Sequence, residues 1–418
     1  MNIPFLQKPI KTQLKVLESE LHRQWKAFNR ELKQGKLKHL EYDKETQKLT
    51  WHKSVVSRNK EQNKRFYEQL PFCDVTDVFR FVNEQCRFLH SMKPLQPRYA
   101  KKEAHADSLM AVIVAQAMNH GNHVMARTSD IPFHVLETTY EQYLRLASLL
   151  TANDCITDAI EALPVFPLYS FDPETLYGAV DGQKFGVERP TVKARYSRKY
   201  FCRGKGMVAY TLLCNHIPIN GYLIGTNEYE GHHVFDIWYR NTSAVKPAAI
   251  TGDMHSIKAN FAILHWFGLR FEPHFTDLNR QLSELYCTRE PSTYKKCLIQ
   301  PAGQIDLELI TREKSNLERI VATLGLKEMT QGTLIRKLCT YTTANPTRQA
   351  VFEYDRLVRS IYTLKYLRDP QLERNIRRSQ NRIESYHQLR AAVAKVGGKK
   401  ELTGKTTLKQ TSVISAGG

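Results

Sequence analysis

The chain has 418 residues, 42% of them apolar, which is enough to bury sizeable cores and argues against a disordered polymer. Its 61 Lys and Arg outnumber 42 Asp and Glu for a formal charge of +19, so a polyanion such as nucleic acid is a natural partner, with a merely basic soluble protein as the bland alternative. No run of about 18 apolar residues occurs, and Lys8, Pro9 and Lys11 interrupt the first apolar stretch, so neither a membrane span nor a secretory leader is expected and a cytoplasmic protein is.

Along residues 11–35, Leu14, Leu17, Leu21, Trp25, Phe28 and Leu32 fall at steps of three and four and predict a helix with one buried face. Residues 1–70 form a basic helical segment with 16 Lys and Arg against 8 acids. Helical spacing continues through a second region, 71–165, as in Asp107–Asn119 and Thr138–Thr151, and ends near Pro164. From residue 166 to 276 the pattern changes to short runs of Val, Ile, Tyr and Leu bounded by Gly, Pro or Asn. Three successive strands are expected at Thr175–Asp181, Gly206–His216 and Pro218–Gly225, with turns at Asp181-Gly182 and near Asn220-Gly221. A helix at Gly231–Asn241, a strand at Ala248–Asp253, a helix at Ser256–Phe267 and a strand at Leu269–Phe275 follow. Three antiparallel strands and then alternating helix and strand is the order of an RNase H-like α/β fold. Residues 277–370 return to helical spacing as a long insertion, a last helix covers about 371–396, and the Gly-, Lys-, Thr- and Ser-rich stretch 397–418 reads as a loose, aberrant tail.

Three acids occupy positions that chemistry can use: Asp181 and Asp253, each closing a predicted strand, and Glu384 within the last helix. If strand ends and a facing helix converge, such carboxylates can hold two Mg2+ ions about 3.5 to 4 Å apart across a phosphodiester. Each acid taken singly reads more readily as a turn or cap residue than as a catalytic one. Around Asp181 lie Lys184, Arg189, Lys193, Arg195, Tyr196, Arg198, Lys199, Tyr200, Phe201, Arg203 and Lys205, cations suited to phosphates and tyrosines suited to stacking on unpaired bases. Strand-core tyrosines inside a solvated cationic rim are the alternative. On the last helix Arg377, Asn381, Glu384 and Gln388 share a face, flanked by Arg378 and Arg382, which fits a metal ligand or an ordinary surface salt bridge. The eight cysteines (Cys73, Cys86, Cys155, Cys202, Cys214, Cys287, Cys297 and Cys339) form no C-x-x-C pair, and His232-His233 lack the i, i+4 spacing of a zinc helix. With no G-x-S-x-G and no G-x-x-x-x-G-K-[ST], neither a serine hydrolase nor a nucleotide cofactor is expected.

These blocks together carry a resemblance. Val-Asp-Gly-Gln-Lys-Phe at 180–185 with Ala-Arg-Tyr-Ser-Arg-Lys-Tyr-Phe-Cys-Arg-Gly-Lys-Gly at 194–206 resembles the first catalytic block of Tn-three-family transposases. Ile-Thr-Gly-Asp-Met-His-Ser at 250–256 and Phe-Gly-Leu-Arg-Phe-Glu-Pro-His at 267–274 resemble the second, and Asn381 to His387 the third, for which the family reads Asn-Lys-Gly-Glu-x-x-His. The resemblance runs from about residue 70 to about 405. It implies a DDE-type catalytic domain on an RNase H-like, retroviral integrase-type core, with Asp181, Asp253 and Glu384 as the metal-binding catalytic triad and 277–370 as an insertion before the glutamate. It also implies Mg2+ with Mn2+ as a possible substitute, 3'-end cleavage and strand transfer in replicative transposition without ATP, and a homodimer acting on transposon ends and target DNA in the nucleoid. The DNA contacts expected from it are Lys184, Arg195, Tyr196, Arg198, Lys199, Tyr200, Arg203, Lys205, Arg377, Arg378, Asn381, Arg382 and His387. Family members carry a large N-terminal region before the core and continue as apolar helix past residue 406, so a truncated or frameshifted copy is expected here. A catalytically incompetent DNA-binding remnant and a metal-dependent nuclease on the same fold are the alternative functions.

Overall fold

The computed structural model describes residues 2–52, 68–97, 104–189, 191–252, 259–399 and 401–403. The chain groups into two compact units, each assembled from separated stretches. The first comprises Met1–Ser57, Gly231–Asp236 and Ala248–Ser379, and the second Arg58–Glu230, Ile237–Pro247 and Gln380–Gly418. No helix of the described residues is long and apolar enough to cross a membrane.

In the first unit the expected amphipathic helix is Ile10–Lys33, with Leu14, Leu21, Trp25 and Phe28 buried. It packs on the long helix Pro346–Arg368, and a hairpin of β1 (Leu40–Asp43) and β2 (Lys48–Trp51) follows it. The strands Ala249–Gly252 and Arg270–Phe271 pair in parallel. The second is shorter than the predicted run to Phe275, although the Glu272 and His274 N–H groups still donate to the Ile250 (2.8 Å) and Gly252 (3.4 Å) carbonyls, and the Pro273 carbonyl accepts from the Tyr362 hydroxyl. The predicted helix from Ser256 is described over Asn260–Trp266, residues 256–258 being outside the described set. Helices dominate residues 277–370 as expected, interrupted by a parallel pair of short strands, Tyr286–Cys287 and Gly303–Gln304.

The second unit opens on helices Val75–Cys86, Ala106–Ala117, Gly121–Thr128, Phe133–Tyr143 and Leu146–Glu161. The expected continuous helix across Thr138–Thr151 is therefore broken. Leu144 and Arg145 are extended, which seats Leu144 in the core while the Arg145 guanidinium donates to the Lys93 carbonyl.

Four strands follow: β3 (Tyr177–Val187), β4 (Arg195–Tyr196), β5 (Lys205–Cys214) and β6 (Ile217–Gly225). The three long ones are antiparallel, with β5 between β3 and β6. Both expected turns are displaced. Strand β3 runs straight through Asp181-Gly182, pairing Asp181 with Thr211 and Gly182 with Tyr210. Asn220-Gly221 likewise lie inside β6, and the β5–β6 reversal falls at Asn215-His216, whose φ values of 42° and 71° give the two left-handed residues that a tight hairpin of right-twisted strands requires. The C-terminal helix is Pro370–Lys395. The tail is not loose at its start: Leu402 is buried, bridges to Val187 and exchanges backbone hydrogen bonds with Gly186 and Glu188.

Candidate active site

In a strand, alternate residues share a face, so Ala179, Asp181, Gln183 and Phe185 of β3 lie on one side, next to Leu213, Thr211, Ala209 and Met207 of β5. The C-terminal helix covers that side. Ile383 and Tyr386 close a core with Ala179 and Leu213, and Ala394 packs with Val187 and Met207. One helical turn rises about 5.4 Å and two strand residues about 6.6 Å, so each helical turn advances roughly one inward-facing strand position. Ile383 thus stands by Ala179, His387 by Asp181, and Arg390 by Gln183.

This register is fixed by polar contacts that sequence inspection missed. Arg390 is fully buried, and its guanidinium donates to Gln183 Oε1 (2.6 Å), Thr211 Oγ1 (2.8 Å) and the Ala209 carbonyl (3.4 Å), while lying over the rings of Phe185 and Tyr386. Burial lowers its pKa, opposed by Tyr386 and the Asp181 charge. Gln183 in turn donates to the His387 carbonyl at 2.9 Å. The signal was present in the sequence as a single arginine on the apolar Ile383–Tyr386–Ala394 face, where a solvated side chain has no place.

The Asp181 carboxylate is 37% exposed; its Oδ1 accepts from the Gly182 N–H (2.8 Å), and its Oδ2 lies 3.5 Å from His387 Nδ1. Burial, reinforced by Arg390 and Lys184, pushes the His387 pKa down to about 3. The ring is therefore neutral at physiological pH, and its approach to Asp181 is that of an uncharged imidazole to a carboxylate, not an ion pair. Its Nε2 is buried with no hydrogen-bond partner among the described residues. Glu384 is exposed and lies three residues before His387, hence one turn away on the same side of the helix.

On the other face of β3, Lys184 reaches Glu230 at 2.8 Å and its ammonium sits 4.7 Å from the Tyr200 ring centre. Burial alone would depress its pKa, but the Glu230 hydrogen bond and charge outweigh burial and raise it. Gly182 makes room for this pair: a Cβ there would fall 2.5 Å from the Glu230 carboxyl and 2.6 Å from Val208. The glycine read as a turn residue serves close packing instead.

The remaining predicted contacts divide by exposure. Arg195, Tyr196, Arg198, Lys199, Tyr200, Arg203 and Lys205 are all exposed, so the two tyrosines are not strand-core residues. Arg198 to Phe201 form a single helical turn, with Lys199 over the Tyr200 ring. On the C-terminal helix Arg378 and Asn381 are exposed and Arg377 pairs with Glu373 at 3.3 Å. Arg382 is engaged in structure: it donates to Asn215 Oδ1 and the Tyr169 carbonyl and lies 3.8 Å from the Phe171 ring centre. Asp253 lies outside the described residues, beyond the strand Ala249–Gly252. Among the described residues no group of three His, Cys, Asp or Glu is gathered to hold a metal ion. The donors that are described, two carboxylates that water can reach, are hard oxygen ligands and fit Mg2+ or Mn2+ better than a soft metal.

Residues 77–418 match the family model described as Tn3 transposase DDE domain. The chain belongs to this family. Among curated proteins it is similar to the transposase for transposon gamma-delta of Escherichia coli (strain K12), 23% identical over 336 residues, or 79% of this chain and 33% of that protein. The transposase for transposon Tn4556 of Streptomyces fradiae is 25% identical over 285 residues (68% of this chain, 31% of that protein), and that for transposon Tn1546 of Enterococcus faecium 23% over 375 residues (87% and 37%). The chain spans about a third of the length of these relatives. The family resemblance read from the three sequence blocks is thereby established. The mixed α/β architecture agrees with a DDE transposase domain.

Proposed function

We propose that this chain is the catalytic portion of a DNA transposase, in which Asp181, Asp253 and Glu384 are the metal-binding carboxylates of an RNase H-like core. The observation that supports this reading is the helix register: His387 lies against Asp181, and Glu384 stands one turn earlier on the same side of the helix. The antiparallel β6–β5–β3 order, with the first acid on β3, supports the fold assignment. Asp253 joins the set through its Ile-Thr-Gly-Asp motif.

Mg2+, or Mn2+ in its place, supplies Lewis-acid stabilisation of the oxygens around a reacting phosphorus when bound. The chain's own residues do the rest. Asp181 and Glu384 present carboxylate oxygens, and the neutral His387 holds Asp181 without competing as a cation. Exposed Arg195, Arg198, Lys199, Arg203 and Lys205 offer phosphate contacts, and Tyr196 and Tyr200 offer faces for unpaired bases at a strand end. In the cleavage step water attacks phosphorus and a 3' oxygen leaves; in the joining step that 3' hydroxyl forms one P–O bond as the target's P–O bond breaks. One phosphodiester replaces another, so no nucleotide hydrolysis is called for. Two paired ends imply at least a dimer on DNA.

The test is 3'-end cleavage and strand transfer on transposon-end DNA with Mg2+ or Mn2+, comparing the chain with Asp181→Ala and Glu384→Gln. Joined products that vanish in both variants support the proposal; free ends alone indicate a nuclease, and salt-sensitive binding without cleavage a DNA-binding remnant. Robust cleavage that survives Asp181→Ala overturns it.

A further inference from the structure

The first unit carries a cationic surface to which the catalytic reading gives no task. On the helix Ile10–Lys33, Lys11, Lys15, Lys26 and Arg30 are exposed and, at about 100° per residue, fall within roughly 100° of arc centred about 130° from the buried Leu14, Leu21 and Phe28, one edge of it shared with the buried His22 and Asn29. Lys33 continues the row and donates to the Lys296 carbonyl, bringing a further exposed lysine to its end. From Lys11 to Lys33 the row measures roughly 33 Å at 1.5 Å per residue, close to the roughly 34 Å of one turn of B-DNA.

What distinguishes this row from an ordinary solvated face is where the acids go. The helix has three: Glu18, Glu20 and Glu31. Each is engaged by a cation from another element: Glu18 by Arg289 (3.9 Å), Glu20 by Lys365 (3.2 Å) as well as Arg23, and Glu31 by Arg368 (2.6 Å). Tertiary packing thus consumes the helix's negative charge, and among the described residues no acid pairs with Lys11, Lys15, Lys26 or Arg30. A row of unpaired cations spaced along a rigid rod gains free energy mainly by displacing counterions from a polyanion of matching length.

We infer that the outward face of the helix Ile10–Lys33 docks along the phosphate backbone of duplex DNA, a sequence-independent contact separate from the catalytic groups around Asp181. The contact rests on the reading that the protein acts on DNA, but it needs no catalysis. Because these side chains bury nothing, replacing them leaves the fold intact.

The experiment measures binding of the full chain to a fluorescent 30-base-pair duplex of arbitrary sequence, without divalent metal, across a salt series. Lys11→Gln, Lys15→Gln, Lys26→Gln and Arg30→Gln combined should weaken binding on the order of 10- to 100-fold at 0.1 M salt and flatten the slope of log K against log salt by about 0.9 per lost contact. The melting temperature should not change. Ser19→Lys, within the exposed arc beside Lys15 and Lys26, should steepen the slope by about the same single step. An unchanged slope in the fourfold variant, or a chain that binds no duplex at all, overturns the inference. A chain that shows both slope changes yet never cleaves DNA upholds it while removing the catalytic reading.

Discussion

His387 Nδ1 lies 3.5 Å from Asp181 Oδ2, and the same histidine's carbonyl accepts from the Gln183 side chain two residues further along β3. One residue of the C-terminal helix therefore reads two successive inward positions of the strand that carries the first candidate carboxylate. Arg390, a turn later, locks the pair from below through Gln183, Thr211 and Ala209.

Replacing His387 separates orientation from packing. Asn at this position can present its amide N–H where Nδ1 now stands, whereas Phe fills the volume with no donor. The expectation is that His387→Phe weakens Mn2+ binding about 10- to 100-fold, as loss of a partner to a metal-binding carboxylate does, while His387→Asn stays within a few-fold of the parent. Titration calorimetry or Mn2+ paramagnetic resonance checks this without relying on turnover; equal affinities for the two variants at matched melting temperatures would show that the contact positions nothing.

Gly182→Ala forces a Cβ to within 2.5 Å of the Glu230 carboxyl, whose partner is Lys184. A loss of about 1 to 3 kcal/mol is expected in denaturant unfolding. Glu230→Ala removes the carboxyl contact and leaves the one with Val208 at 2.6 Å, so the double variant should still be destabilised, but by less than the two single changes added together. Strict additivity would mean that the clash falls elsewhere.

Asp355 gives a pH signature in the first unit. Fully enclosed, it accepts from the backbone N–H of Ala262 (3.1 Å) and supports the start of the helix Asn260–Trp266. Burial outweighs the Arg359 charge and these hydrogen bonds and raises its pKa from 3.8 to about 6. Because the folded value is the higher one, the unfolded chain loses its proton first, and stability from this group falls as pH rises from about 4 to 6. His265 has the opposite sense: buried and lowered to about 4, it removes stability as pH falls below 6.5. Both proteins share that histidine, so it cancels in a comparison. Asp355→Asn, which keeps an acceptor oxygen, should match the parent near pH 4 and gain relative stability through pH 6, levelling off above. Thermal melts at pH 4.5, 6 and 7.5 check the trend, and a difference that shrinks as pH rises would contradict it.

The sequence by itself determined the periodic elements and the chemistry-bearing blocks. Apolar steps of three and four in Leu14, Leu21, Trp25 and Phe28 made the helix Ile10–Lys33 legible, because a half-exposed helix imprints that period on its own residues, and short runs rich in Val, Ile, Tyr and Leu bounded by Gly, Pro or Asn marked the three long strands. Tertiary structure decided what depends on neighbours distant in sequence. Asp181-Gly182 has the composition of a turn, yet pairing with Thr211 and Tyr210 keeps it extended, and the β5–β6 reversal expected near Asn220-Gly221 falls at Asn215-His216, where two left-handed residues match strand twist. Arg390 looks like a surface cation until β3 and β5 supply Gln183, Thr211 and the Ala209 carbonyl to receive it; a buried charge is tolerable only with such partners, and no local pattern announces them. Arg382, expected to contact DNA, also donates to Asn215 and the Tyr169 carbonyl, partners that no local pattern announces: a fork of donors binds whatever acceptors the fold places within reach.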